Sequence, residues 1–525
     1  MNRRLCKILA LVLLFVMVTG LCACAGDTAE TEPPTEDLSV YDFTVSYDNI
    51  VRGNMSSGVS VHDPSVLKAD GKYYIFGSHM ASASADNLKD WKRMSDGYNA
   101  NNPVYGQIYS VADQAFAYAG SKNSVIPTDD GGVHVWAPDV VYNKATGLYY
   151  MYYCTTSTWN ASNLCYGVSE SPEGPYEWKG ALIYSGFTME NVEHTNVLDV
   201  VSEDHVVENY IYGGKYNFEE YPNAIDPSVF YDEDDRMWMV YGSWSGGIFL
   251  LELDPETGLV IHPEADPENG VDPYFGKRLL GGGHKSIEGP YILRDPASGY
   301  YYLFVSYGSL VAKGGYQIRV FRSETVNGDY VDMNGKTPFE GVNHAYYGLK
   351  MSGNYMLPSL SKGYMATGHN SALADSDGKL YVVYHTRFEN SGEFHSPRVH
   401  QFLVNEEGWP CMLPYQTQGE TVSATGYNAE EVVGRYYMIN QGTAIDDKIA
   451  RPEIVYLNSD GTLRSASAKG TWEMKDGTYY ITLTFGERVF HGVLCSMPDE
   501  GGTEVMTFSA VGYNESIWGV KYAAE

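Results

Sequence analysis

A chain of 525 residues with 45 tyrosines and 55 glycines has room for two domains and favours short strands joined by glycine turns over long helices. The formal net charge of −31 excludes nucleic acid and anionic membrane surfaces as partners, because phosphate contacts need clustered Lys and Arg. It also disfavours an acidic polymer such as pectate as substrate and leaves neutral ones open.

Residues 1–24 read as a targeting segment outside the fold: Arg3, Arg4 and Lys7 precede an apolar run over 8–18 that is short for a membrane span. Leu21-Cys22-Ala23-Cys24 resembles a bacterial lipobox, which implies cleavage before Cys24, a lipid on its thiol and a cell-surface lipoprotein of a bacterium; an ordinary secretory signal is the alternative. Residues 25–40 carry too little apolar content to fold and are expected to be a disordered tether. A lead-in strand is expected over 41–49. Of seven cysteines, Cys154, Cys165, Cys411 and Cys495 remain in the mature chain, none with Cys-x-x-Cys spacing. Cys154 and Cys165 fall on successive strands, where a cross-strand pair is the alternative to two buried thiols.

Five segments then share one layout: a polar turn, an apolar run, a tight turn and an aromatic strand. They are HDPSVLKADGKYYIFGS (62–78), WAPDVVYNKATGLYYMYYCTT (136–156), NAIDPSVFYDEDDRMWMVYGSW (223–244), IEGPYILRDPASGYYYLFVSYG (287–308) and GHNSALADSDGKLYVVYHTRF (368–388). Asp63 to Tyr73, Asp139 to Tyr149, Asp226 to Met237, Glu288 to Tyr300 and Asn370 to Leu380 keep a spacing of 10 to 12 residues. Such self-similarity signals a repeat, and five all-β units closing on themselves predict a five-bladed β-propeller over 41–418. Polar residues that open the inner strands then converge on one axis. The stretch 97–132 reads as a long polar loop. Alternating strands with Asp-Gly turns at 460–461 and 476–477 predict a small antiparallel β-barrel over 419–525, accessory because it has no carboxylate cluster.

Asp63, Asp226 and Glu288 are the axial carboxyls, and cleavage of a glycosidic bond needs one carboxylate as base and one carboxylic acid for the leaving oxygen. Short-stemmed Asp63 suits water activation as general base, Glu288 has the reach of a general acid, and Asp226 raises the acid's pKa by repulsion. One Asp-Pro-Ser alone would be structural; two at equivalent positions with a Glu at a third are costly unless used. Asp139, after Ala-Pro, reads as a turn cap. Trp136 and Ser243 are assigned to substrate binding, Trp136 by stacking on a sugar face. Arg387 either neutralises the carboxylates or meets substrate hydroxyls, and Trp244 either stacks on sugar or fills the core. His369, alone on the axis, cannot make a zinc site but can join a water-filled shell around a hard cation; His385 has no assigned role.

Through HDPS (62–65), WAPDV (136–140), NAIDPS (223–228), GSW (242–244), SIEGPYI (286–292) and GHNS (368–371), the chain resembles glycoside hydrolase family 43, specifically its two-domain arabinan endo-1,5-α-L-arabinanases. The resemblance covers about residues 60–525. It implies a five-bladed propeller with a C-terminal barrel and inversion of configuration. It also implies Asp63 as base, Asp226 as pKa modulator, Glu288 as acid, and His369 beside a calcium ion. The expected partner is neutral arabinan or its oligosaccharides, met by a monomer outside the cell. The long segments 97–132 and 185–222 leave an exo-acting arabinofuranosidase or β-xylosidase as the alternative, and a non-catalytic glycan-binding protein as a second.

Overall fold

The computed structural model describes residues 38–99, 101–106, 112–158, 160–339 and 341–522. The expected signal segment 1–24, the expected lipid site at Cys24 and residues 25–37 of the expected tether 25–40 lie outside them. Leu38–Val40 form a single exposed 3₁₀ turn. The strand expected over 41–49 is not formed: the segment ends in a turn, with Asn49 at φ 66° and the Asp48 N–H donated to Ser46 Oγ (3.1 Å).

The fold is all-β, as the repeat requires. Blade 1 holds strands Ser65–Ala69, Lys72–Gly77, Ala81–Ala85 and Lys92–Ser95. Blade 2 holds Val135–Asn143, Leu148–Thr156, Ser162–Ser169 and Glu177–Ser185. Blade 3 holds Ser228–Tyr231, Met237–Tyr241, Ile248–Leu253 and Gly276–Leu280, with two short strands added at its edge. Blade 4 holds Ile287–Arg294, Tyr301–Tyr307, Gln317–Ser323 and Leu349–Ser352, and blade 5 Tyr364–Ala374, Leu380–Phe388, Ser396–Val404 and Pro410–Met412. Within each blade the strands pair antiparallel in chain order. Aromatic and β-branched residues fill both faces of the second strands, so Met151–Cys154 and Tyr301–Val305 are wholly buried between neighbouring blades.

Every blade is one continuous piece of chain, and among the described residues no strand from the opposite terminus locks the ring. Blades 1 and 5 are joined by side chains and by a backbone contact in which the Val61 N–H donates to His395 O (3.2 Å). Val61, Val66 and Ile75 pack on Tyr381, Val383 and Val399, and Lys68 and Tyr73 both bind the Asp375 carboxylate. The stretch read as a polar loop after blade 1 contains the short helix Ala112–Ala115, and 186–222 carries the hairpin Ile211–Tyr212/Lys215–Tyr216. Cys154 and Cys165 are buried free thiols; Cys165 lies opposite Tyr153, which turns it to the other face of the sheet from Cys154.

After Met412 the chain leads into a closed eight-stranded barrel from Gly434–Asn440 to Glu515–Lys521, whose first and last strands pair antiparallel. Gly461 and Gly477 sit at φ 79° and 71° in the expected Asp-Gly turns. No helix among the described residues is long and apolar enough to cross a membrane.

Candidate active site

The five inner strands begin alike. One residue in each blade takes a left-handed conformation: Asp63 (φ 54°), Ala137 (φ 42°), Asp226 (φ 56°), Gly289 (φ 58°) and His369 (φ 43°). Pro64, Pro138, Pro227 and Pro290 follow the first four. For a residue with a Cβ this conformation is costly and persists only where the surroundings enforce it. It corrects the alignment read from the sequence: Asp139, Glu288 and Asn370 are neighbours of the positions equivalent to Asp63 and Asp226, not those positions.

Asp63, Asp226, Glu288 and His369 meet on the axis. Asp63 Oδ1 lies 3.0 Å from His369 Nδ1 and 3.1 Å from His62 Nε2, and Oδ2 accepts the Ser78 hydroxyl. Burial pushes the Asp63 carboxyl up, but His369, His62 and the Ser78 hydrogen bond together outweigh it and hold the group below the ordinary aspartate value. Glu288 is raised: burial dominates over the donors Tyr316 OH and Trp244 Nε1, each 2.6 Å from a carboxylate oxygen. Asp226 is raised as well, by burial first and by Glu288 and Asp63 next, against His369 and the Gly289 N–H, 3.2 Å from its Oδ2. Burial opposes a proton on His369, yet the three carboxylates overcome it and raise its pKa. One carboxyl is thus held ionised and two are pushed toward protonation, the division that acid–base cleavage needs.

Three other expectations change. Ser243 is buried with its hydroxyl 3.4 Å from Glu288 Oε2, so it faces the carboxylate rather than a sugar. Arg387 is 1% exposed; it is paired with Glu393 and its Nη2 is 2.6 Å from His395 Nε2, which removes it from substrate contact. Asp139 caps no turn: Oδ1 accepts Ser65 Oγ of blade 1 and Oδ2 the Val229 N–H of blade 3 (2.6 Å), so it clasps three blades. Trp136 is half-buried and stacks on His134 (centroids 5.6 Å apart, 22° between planes).

The sequence leaves His385 without a role and does not single out Ser78, Tyr316 or His62, although Gly77-Ser78 repeats the Gly242-Ser243 pattern. His62, His385 and His395 bring ring nitrogens within 4.8 Å of one another. A transition metal does not fit there. His385 Nδ1 accepts the Asp63 N–H (3.2 Å), which places its proton on Nε2. His62 and His395 stack face to face at 4.0 Å, and Arg387 donates into His395. Along the axis below the carboxylates, the buried Asn370 amide oxygen and nitrogen and the Ser228 hydroxyl have no protein partner. Those orphaned polar atoms, with His369 and the carboxylates, suit a hydrated hard cation.

Residues 57–410 match Glycosyl hydrolases family 43, and residues 414–519 match a C-terminal lipocalin-like domain. An extracellular endo-α-(1→5)-L-arabinanase of Thermotoga petrophila is 38% identical over 480 residues, covering 88% of this chain and 93% of that protein. Extracellular endo-α-(1→5)-L-arabinanase 2 of Bacillus subtilis is 36% identical over 481 residues, with the same coverage of 88% and 93%. The crystal structure of the endo-1,5-α-L-arabinanase from T. petrophila RKU-1 superposes with a TM-score of 0.76 at 37% identity, covering 90% of this chain and all of that one.

Proposed function

The chain belongs to glycosyl hydrolase family 43, and on that premise we propose that it hydrolyses internal α-1,5-L-arabinofuranosidic bonds of arabinan with inversion. The observation that carries the chemistry is the opposite displacement of Asp63 and Glu288 in acidity within one buried cluster. Ionised Asp63 takes a proton from the water that attacks the anomeric carbon, while protonated Glu288 delivers its proton to the departing glycosidic oxygen. Asp226 interacts with both: the charges of Glu288 and Asp63 add to burial in pushing its own pKa up, so its protonation is linked to theirs, and its carboxylate accepts the Gly289 N–H. His369 balances the cluster with positive charge beside Asp63. The half-buried face of Trp136 is the stacking surface for a sugar ring.

On the same axis His369, Asn370 and Ser228 would be the residues to hold a hydrated calcium ion. When bound it supplies positive charge beside the carboxylates. For the cellular setting the reading is a lipoprotein outside the cytoplasmic membrane, supported by the Cys24 sequence and by relatives named as extracellular.

The decisive test is a product profile on linear and branched arabinan, with xylan alongside. A ladder of arabino-oligosaccharides is expected from arabinan and nothing from xylan. Arabinose as the sole product would replace the endo reading by an exo one, and no turnover would leave a binding protein.

A further inference from the structure

The left-handed residue of each blade has its N–H taken by the blade before it. Ser78 Oγ accepts from Ala137 (2.9 Å) and Ser306 Oγ from His369 (2.6 Å), and the Cys154 sulfur stands at the equivalent place against the Asp226 backbone. His385 Nδ1 accepts from Asp63 (3.2 Å). The acceptors hold equivalent places, two residues beyond the partner of the next inner-strand residue: Ser65 pairs Phe76, Asp139 pairs Tyr152, Tyr291 pairs Phe304 and Ser371 pairs Val383. In blade 3 that place is Gly242, which has no side chain, and the Asp226 carboxylate takes the Gly289 N–H instead. The five contacts form a closed ring around the axis.

One link of this ring differs from the rest. Blades 1 to 5 follow one another along the chain, but no polypeptide joins blade 5 to blade 1, and Asp63 stands at that joint. We propose that His385 is the positioning residue of the catalytic base, setting Asp63 by accepting its backbone N–H across the one joint that the chain does not cross. The inference rests on the assignment of Asp63 as base.

The side chain is built for this and little else. It is fully buried, its ring stacks on Tyr316 at 5.9 Å and 17°, and Nε2 has no hydrogen-bond partner. Burial first, then the charges of His62, His395, Arg387 and His369, keeps the imidazole neutral. Neutrality is what the contact requires, since a protonated Nδ1 would face the Asp63 N–H with a hydrogen of its own. An imidazole also spans further than the serines and cysteine used at the other joints, where the chain itself holds the blades together. Because Tyr316 donates to Glu288, one ring touches the supports of both the base and the acid.

The test compares His385→Ala, His385→Asn and His385→Gln on linear arabinan and on a 4-nitrophenyl arabino-oligosaccharide. Asn places an acceptor where Nδ1 stands; Gln places it near Nε2. The Ala and Gln variants are expected to lose on the order of 100-fold in kcat on both substrates alike, with KM unchanged, as a misplaced base would. The Asn variant should recover most of that rate. If Asn and Gln are equally impaired, or if all three lose only melting temperature while kcat holds, the proposal is overturned. Should the Ala variant fail to fold, the Asn–Gln contrast still decides. Asp63→Ala separates this from the underlying reading: an active Asp63→Ala would remove the base assignment itself, whatever His385 does.

Discussion

At the scale of single residues, acidity is set by which donors reach each carboxylate. Ser78 favours ionised Asp63, and Tyr316 with Trp244 favours ionised Glu288 against the burial that raises it. The acid limb of a kcat/KM profile reports Asp63 losing its proton and the alkaline limb reports Glu288 losing its own. Removing the Ser78 donor raises the Asp63 pKa, so Ser78→Ala should move the acid limb toward neutrality. Tyr316→Phe removes a donor that lowers the Glu288 pKa, so the alkaline limb should move to higher pH. Each change should cost about tenfold at the optimum, the worth of one hydrogen bond to a charged group. Profiles recorded in constant ionic strength on arabinan check both, and limbs that exchanged would mean the base and acid have been transposed.

At the scale of elements, the blades are tied by buried side chains. Asp139 is the clearest case, accepting from Ser65 and Val229 on either side. Burial raises its carboxyl to about 6, against the lowering by those donors. A folded value above the unfolded one means the group's contribution is full below the ordinary aspartate pKa and is lost as pH rises through about 6. Asp139→Asn keeps one acceptor and offers a donor that the Ser65 hydroxyl can accept. Thermal melts from about pH 4 to 7 should therefore show the parent losing on the order of 3 kcal/mol relative to the Asn variant, by the usual conversion of pKa shift to free energy. Parallel curves would rule out the buried, strained charge.

The five blades and the barrel were legible in the sequence because Asp-Pro and Asp-Gly turns and aromatic strands are local signals. So were Asp63, Asp226 and Glu288 as a converging set. The alignment of the copies was misread because it followed the carboxylates, whereas the feature shared by four blades is the proline after the left-handed residue. Asp139 looked equivalent to Asp63 for that reason. His385 and Ser78 act on residues 322 and 59 positions away or in the next blade, contacts that exist only once the ring closes. Arg387 reads from the sequence as neutralising the carboxylates or meeting substrate hydroxyls, but Glu393 and His395 in the following loop engage it.

At the scale of the whole molecule, the propeller and the barrel share one core. Tyr302, Phe304, Tyr364 and Tyr384 of blades 4 and 5 pack in the same cluster as Ile439, Val493, Trp518 and Val520 of the barrel. Polar contacts reinforce the seam: Gln317 Nε2 and Lys350 Nζ each donate to Ala444 O at 3.0 Å, and Asn514 Nδ2 donates to Asp332 Oδ2 at 2.7 Å. Gln317 follows Tyr316, so the barrel buttresses the strand that carries a donor to Glu288. Trp518 is fully buried and meets the Tyr355 ring edge-on at 5.0 Å. Trp518→Ala should cost about 3–5 kcal/mol, as large cavities do, and should destabilise both parts together. Calorimetry should show one transition for parent and variant, shifted as a unit, with loss of activity on heating following the same curve. Two resolved transitions, with only the smaller one moved by the substitution, would mean that the barrel folds independently and that its contact with the Tyr316 strand does not support catalysis.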